Sequence, residues 1–172
     1  FFSPDGQSIG FFSGASGRTV LKVTAITGGV SRTVVADSVA SFGGGDWGDD
    51  GQIYFTHSSR GLARVAPSGG GVTRVSAPDS ATGILEHDYP DVLPGSHRAL
   101  VMLWKGSIGA NQIGLIDLKT GAVTELTPGS MARYVAPGFL AIGAADGRLL
   151  IARFDLGRGR LSGIPGLIMP GV

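Results

Sequence analysis

The sequence predicts an all-β protein, a β-propeller built from four-stranded antiparallel sheets. Three observations predict this fold. First, 30 glycines and 9 prolines interrupt the 172 residues so often that no ordinary three-turn helix fits without an internal breaker, the longest free stretch being a Val-, Ser- and Thr-rich segment at 30–42. Second, short apolar segments alternate with Asp-Gly and Gly-Gly pairs, which are typical of hairpin turns. Third, one turn signal recurs about every 44 residues.

The recurring turn signal divides the chain into four repeats. Its four copies are Ser3-Pro4-Asp5-Gly6, Gly48-Asp49-Asp50-Gly51, Leu93-Pro94-Gly95-Ser96 and Ala136-Pro137-Gly138. We therefore treat residues 1–172 as a single propeller domain or half-domain, with repeats at approximately 1–37, 38–80, 81–130 and 131–172. Gly6, Gly51, Gly95 and Gly138 should each lie in a strand-joining turn, and several should have positive φ.

Each repeat has room for four strands. An inner strand precedes the turn at 44–48, 86–90 and 132–134, whereas the first repeat begins at Phe1 and lacks most of this strand. The strands predicted after each turn lie at 9–12, at 20–23 and from 30–31 onward; at 53–55, 62–65 and 72–75; at 99–103, 113–118 and 123–126; and at 139–142, 149–154 and 161–169. Such a small sheet cannot bury both of its faces alone, but sheets packed around an axis bury each other. A β-sandwich is the alternative, but it does not require a fixed repeat.

Charge and composition exclude several classes of partner. The 14 basic and 13 acidic residues give a net charge of +1 without any block of like charges, which argues against a nucleic-acid partner. No apolar run approaches the roughly 20 residues that a membrane-spanning helix needs, so we expect no direct membrane insertion. The absence of cysteine excludes disulfides and thiolate chemistry.

Several of these segments resemble a known family. Phe2-Ser3-Pro4-Asp5-Gly6 and the segment 115–121 resemble the blades of TolB-like, WD-repeat-like bacterial β-propellers. The segments 44–51, 87–90 and 132–134 are similar to the C-terminal propeller of bacterial serine/threonine protein kinases. This resemblance implies a binding platform in a ring of six to eight repeats. It also implies either the sensor segment of a membrane-anchored kinase or a scaffold, and it favours an extracytoplasmic location.

The polar residues of the inner strands are the candidate ligand site. We place Asp46, Glu86, His87 and Arg133 at the mouth of the central channel, where inner strands of different repeats converge. The two carboxylates would attract cations, and Arg133 could clamp a carboxylate or phosphate. If His87 faces the channel between Glu86 and Asp88, those carboxylates should raise its pKa. The leading hypothesis is thus a non-enzymatic binding, scaffold or sensor module for a protein, peptide or small molecule, without a cofactor.

Two other hypotheses remain open. A metal-dependent hydrolase of esters, lactones or phosphotriesters could hold a divalent ion in the channel with Glu86, His87, Asp88 and Asp46, of which His87 and Asp88 are the main candidate ligands. A natural or engineered repeat fragment without a present function is the third. The Gly43–Gly48 segment matches a dinucleotide fingerprint, but the hairpin turn that follows it excludes the required helix.

Two structural expectations accompany these hypotheses. Trp47, Tyr89 and Tyr134 are predicted to share equivalent inner-strand positions, as packing elements between sheets or as a stacking platform for a ligand. A four-repeat arc also leaves the outer faces of its two end sheets bare. We therefore expect the chain to associate with itself, as a homodimer or a higher closed ring.

Overall fold

The computed structural model describes residues 1–15, 18–40 and 43–171. Within these residues, fifteen strands form four antiparallel sheets in which the strands follow one another in chain order. Sheet 1 contains β1 (Ser8–Ala15), β2 (Arg18–Ala25) and β3 (Arg32–Val35); sheet 2 contains β4 (Gly45–Trp47), β5 (Ile53–Thr56), β6 (Leu62–Val65) and β7 (Thr73–Arg74). Sheet 3 contains β8 (Glu86–Val92), β9 (Arg98–Trp104), β10 (Gln112–Asp117) and β11 (Val123–Pro128); sheet 4 contains β12 (Met131–Val135), β13 (Phe139–Gly143), β14 (Leu149–Asp155) and β15 (Arg160–Met169).

This topology confirms the predicted all-β class, and sheets 2, 3 and 4 have the predicted four strands. Sheet 1 has three strands, and only an isolated bridge between Phe2 and Ile9 occupies the place of its inner strand. The described sheets form an open arc, which is consistent with a partial ring. Two short 3₁₀ turns, Ser80–Thr82 and Ile108–Ala110, are the helical elements of the described residues, and neither is long enough to cross a membrane.

The predicted turn glycines lie where the repeat places them. Gly6, Gly51, Gly95 and Gly138 are all in turns that lead into the second strand of a repeat, and their φ angles are 67°, 76°, 86° and 91°. Left-handed φ angles of this kind strongly favour glycine. The spacing of the turns therefore reflects a real backbone requirement.

Three apolar layers hold the sheets together, one between each pair of neighbours. The layer between sheets 1 and 2 includes Leu21 and Phe55, the next includes Leu62 and Leu103, and the third includes Leu100 and Leu140. Strands of the middle sheets are apolar on both faces, because alternate side chains enter the layers on either side. This explains why their sequences read as continuous apolar runs.

Replacing Gly51 with Val is expected to cost about 1 kcal/mol or more of unfolding free energy. The cost comes from φ alone, since a Cβ at Gly51 would meet no atom within 4 Å. Urea unfolding measures it. The matched control is Gly71→Val, at a glycine with equally open space but without a positive φ. Equal losses in both variants would contradict the turn assignment.

Candidate functional site

The inner strands β4, β8 and β12 carry the candidate polar residues, and carboxylates of one strand bond the next. Asp46 Oδ2 accepts a hydrogen bond of 2.7 Å from the backbone N–H of Val92. In the same way, Asp91 Oδ2 accepts one of 2.7 Å from the N–H of Tyr134. Each bond joins a sheet to its successor at the inner edge. Asp46 and Asp91 therefore hold equivalent positions in their repeats.

Arg133 joins this cluster from β12. Its Nη1 donates to Asp91 Oδ1 at 2.9 Å and to the carbonyl of Pro90 at 3.2 Å. Its side chain is 48% exposed, and within the described parts of the chain Nη2 has no hydrogen-bond partner. We call Asp46, Asp91 and Arg133 the inner-edge cluster. It presents a guanidinium with one free edge to the surroundings.

Asp46 is partly buried in the inner-edge cluster. Burial raises its pKa, and the hydrogen bond from Val92 offsets part of that effect. The Asp91 carboxylate adds to the increase, whereas the Arg133 guanidinium opposes it. Arg133 thus serves as counter-ion to two carboxylates at once.

Glu86 lies at the opposite end of β8. Asp91 is five positions further along the strand, which corresponds to roughly 16 Å of extended chain. Its carboxylate pairs with Arg60 at 3.5 Å. The structure therefore brings Asp46 and Arg133 together and leaves Glu86 apart from them.

His87 is fully buried, with an exposed fraction of 0%. Its Nδ1 is 2.8 Å from Ser76 Oγ, and that hydroxyl also accepts the N–H of Leu62. Burial lowers the pKa of His87 to about 4, so the expected increase is wrong in direction. The physical reason is that desolvation of the imidazolium outweighs the carboxylates of its sequence neighbours, whose side chains leave the strand on the other face.

Asp88 is also buried, with 4% of its surface exposed. Burial, with a smaller contribution from the Glu86 charge, raises its pKa to about 7. Its Oδ1 has no hydrogen-bond partner among the described residues. Within those residues, no three His, Asp or Glu side chains are grouped closely enough to hold a metal ion. The predicted metal ligands Glu86, His87, Asp88 and Asp46 do not converge on one point.

The three inner-strand aromatic residues are not equivalent. Trp47 packs on the layer between sheets 1 and 2, and Tyr134 packs on the layer between sheets 3 and 4. Both also bond their own turns: Trp47 Nε1 donates to the carbonyl of Gly51, and Tyr134 Oη accepts the N–H of Gly138. Tyr89 instead sits at a bulge of β8 with φ 51°, three residues before Val92.

Sequence reasoning missed Asp91, Arg60 and Ser76. Asp91 precedes the turn at Leu93 by two residues, as Asp46 precedes the turn at Gly48, so strict alignment of the turns would have found it. Arg60 lies in the turn between β5 and β6, and Ser76 follows β7. Both contact residues of β8 only because the chain folds back on itself. No sequence signal identifies them.

Comparison with solved structures identifies the fold. TolB from Acinetobacter baumannii superposes with a TM-score of 0.72 and 20% identity, over 99% of this chain and 44% of that one. The fold is that of a TolB-like β-propeller. An oligogalacturonate lyase in complex with manganese matches at a TM-score of 0.68 and 14% identity, over 88% of this chain and 48% of that one.

A puromycin-hydrolyzing peptidase of Mycobacterium tuberculosis also matches, at a TM-score of 0.69 and 14% identity, over 98% of this chain and 32% of that one. The chain thus spans less than half the length of each of these propellers. No protein-family model and no curated protein match the sequence. These neighbours include both enzymes and TolB, so the fold leaves the activity open.

The buried pair on β8 predicts opposing pH effects on stability. Between pH 4 and 7 the folded state keeps a proton on Asp88 that the unfolded state has lost. The contribution of Asp88 to the free energy of unfolding therefore falls as the pH rises, by on the order of 4 kcal/mol over this range. Between pH 4 and 6.5 the unfolded state protonates His87 while the folded state does not, so the contribution of His87 rises with pH. The two contributions largely cancel in the parent protein.

Replacing Asp88 with Asn should therefore remove the contribution to unfolding free energy that falls with pH, and should leave the contribution of His87, which rises with pH. We expect the free energy of unfolding of Asp88→Asn, relative to the parent, to increase steadily from pH 4 to pH 7. Urea unfolding at several pH values measures the difference. The control is Asp37→Asn, at an exposed aspartate. Parallel curves for Asp88→Asn and the parent would show that Asp88 is ionised normally in the fold.

Proposed function

We propose that this chain is part of a non-enzymatic propeller module that binds a ligand at the inner edge of its sheets. Arg133 is the residue that contacts the ligand, and Asp46 and Asp91 hold it in position. The ligand is a protein, a peptide or a small molecule with a carboxylate or another strong hydrogen-bond acceptor. By resemblance, the module belongs to a scaffold or kinase sensor in an extracytoplasmic location.

The free edge of Arg133 is the observation that carries this proposal. One terminal nitrogen is bound by Asp91 and Pro90, which fixes the plane of the guanidinium. The other terminal nitrogen is available, and the side chain is half exposed. A guanidinium that is oriented in advance loses less conformational entropy when it binds a carboxylate.

Arg133→Gln should abolish binding of a simple carboxylate at the inner edge. Triglycine, which carries a free carboxylate, is a suitable probe in an NMR titration of the labelled protein. We expect shifts at the backbone amides of Arg133 and Tyr134 in the parent and none in the variant. The matched control is Arg153→Gln, at an exposed arginine of the same sheet that lies over the ring of Phe139. If both variants retain the shifts, the proposed contact is wrong.

The hydrolase hypothesis predicts a different result. Under this hypothesis, manganese or a similar divalent metal should bind stoichiometrically and should support ester or phosphotriester hydrolysis. Asp46→Asn should abolish that hydrolysis. The inner-edge cluster supplies only Asp46 and Asp91 as carboxylates, and Asp91 is already committed to Tyr134 and Arg133. Metal-dependent turnover would replace the binding proposal with the enzymatic one.

Self-association is also part of the proposal, because the open faces of both end sheets carry several apolar residues. Pairing across sheet 4 places six apolar residues on the face turned away from sheet 3, together with Arg133 and Arg153: Met131, Val135, Phe139, Ala141, Leu149 and Ile151. On sheet 1, the face turned away from sheet 2 carries Ile9, Phe11 and Val20, with Lys22 and Thr24 beside them. We propose that a second copy covers these faces, head to tail about a two-fold axis.

Light scattering should accordingly detect a particle of twice the chain mass at micromolar concentration. Ile151→Glu places a charge on the open face of sheet 4 and should shift the protein to monomer, since an unpaired charge is costly in an apolar interface. The control is Thr124→Glu on an exposed position of β11. A stable parent monomer would contradict self-association and would leave the open faces for other segments of a longer propeller.

A further inference from the structure

A groove of about 460 Å³ lies between sheets 3 and 4, and we call it the lateral groove. Sheet 3 contributes part of the 3₁₀ turn Ile108–Ala110 and the end of β11 to its walls. Sheet 4 contributes the turn between β13 and β14 and part of β15. The volume is within the range of about 300–1,000 Å³ that is typical of small-molecule pockets. The lateral groove shares no residue with the inner-edge cluster, so it is a separate site.

The walls of the lateral groove are mainly apolar. Leu150 lines it and also packs on the apolar layer between sheets 3 and 4. Leu167 lies opposite Leu150 in the pairing of β14 with β15. The groove is therefore continuous with the layer that joins the two sheets. Its apolar lining residues include Pro128, Ala144, Leu150, Ile164, Pro165 and Leu167.

The two ionised residues in this lining, Asp146 and Arg148, compensate each other. Arg148 Nε donates to Asp146 Oδ2 at 2.7 Å, and the backbone N–H of Arg148 donates to Asp146 Oδ1 at 3.2 Å. These bonds, with the backbone bond first, lower the pKa of Asp146, so it is ionised at neutral pH. One carboxylate and one guanidinium leave the lining without net charge. It therefore favours neither an anionic nor a cationic ligand.

The amide side chain in the lining is already engaged within sheet 3. Asn111 is only 2% exposed. Its Oδ1 accepts the backbone N–H of Lys105 at 3.3 Å, and its Nδ2 donates to Met102 Sδ at 3.3 Å. Apolar contact is thus the main interaction that the lateral groove offers.

Large apolar side chains at the rim of the lateral groove are exposed to water. Ile164 is 94% exposed, and Leu167 is 58% exposed. Ile108, Ile168 and Met169 are next to lining residues in the sequence and are also more than half exposed. Exposed aliphatic surface grouped around a concave site is typical of a binding surface. An apolar ligand would remove part of this surface from water, which favours its binding.

We propose that the lateral groove binds a small uncharged molecule with an aliphatic body. Its apolar walls favour methylene groups over water. Its neutral lining supplies no free counter-ion to offset the desolvation of a charged ligand. A second copy of this chain that inserted a side chain would compete for the same space, and it would also change the mass of the particle.

NMR titration of the labelled protein with n-butanol and n-hexanol tests this site. Both alcohols are uncharged, and they differ by two methylene groups. Each buried methylene group strengthens binding roughly fourfold, so n-hexanol should bind about fifteenfold more tightly than n-butanol. Hexanoate has a similar chain and a negative charge, and it should bind at least about threefold more weakly than n-hexanol. The shifts should map to the backbone amides of Ala145, Leu150 and Leu167.

Leu167→Ala should weaken n-hexanol binding about fourfold, since the loss of contact is comparable to one methylene group. Leu167 is largely exposed, so this variant keeps the fold. The matched control is Val30→Ala, at a valine that is 97% exposed and lies before β3. It should leave the affinity for n-hexanol unchanged.

Four results would overturn the proposal. They are an absence of n-hexanol binding, shifts that map to Ile9 or Ile151 on the open faces, equal affinities for the two alcohols, and equal losses in Leu167→Ala and Val30→Ala. A lower particle mass for Leu167→Ala in light scattering would instead assign the groove to a second copy. Arg133→Gln should leave n-hexanol binding unchanged, so failure of the inner-edge site and failure of the lateral groove are distinguishable.

Discussion

Burial of each sheet against its neighbour is the interaction on which the whole structure depends. A strand such as β9 has buried residues on both faces, because Leu100 enters the layer shared with sheet 4 while Val101 enters the layer shared with sheet 2. A single antiparallel sheet of this size can bury only one side alone and is at best marginally stable. Stability therefore belongs to the stack of sheets, and every open end of the stack exposes apolar surface.

The inner-edge hydrogen bonds add specificity to this packing. Apolar layers tolerate small shifts between sheets, whereas the bonds from Asp46 to Val92 and from Asp91 to Tyr134 require one relative position. Leaving such a partly buried amide without its acceptor would cost on the order of 1 kcal/mol. At the next equivalent position stands Arg133, which can donate but cannot accept. The series of carboxylate-to-amide bonds ends there, and the residue that interrupts it is the one with a free binding edge.

The parts of the fold that depend on local geometry could be predicted from the sequence. The turn at Gly51 needs a positive φ that glycine adopts readily, so the repeat of such turns located the strands that follow them. Strands without such a landmark were less well placed: β3 begins at Arg32, two residues after the predicted start at Val30, and β7 covers only Thr73–Arg74 of the predicted 72–75. Where no turn residue constrains the backbone, pairing with the neighbouring strand decides the boundary.

The candidate site was harder to predict, because proximity in sequence does not give proximity of side chains in a strand. Glu86, His87 and Asp88 are consecutive, yet His87 enters a layer beside Ser76 while the Glu86 carboxylate reaches Arg60. The expected effect of Glu86 and Asp88, which was to raise the pKa of His87, is smaller than the opposite effect of burying the imidazolium charge.

The inner-edge cluster shows the opposite relation between sequence and structure. Asp91 and Arg133 are far apart in the sequence and come from different sheets, yet their side chains meet at 2.9 Å. In a propeller the polar ends of the strands converge while their middles pack, so groups that bind ligands assemble across repeats, from residues that no local motif connects.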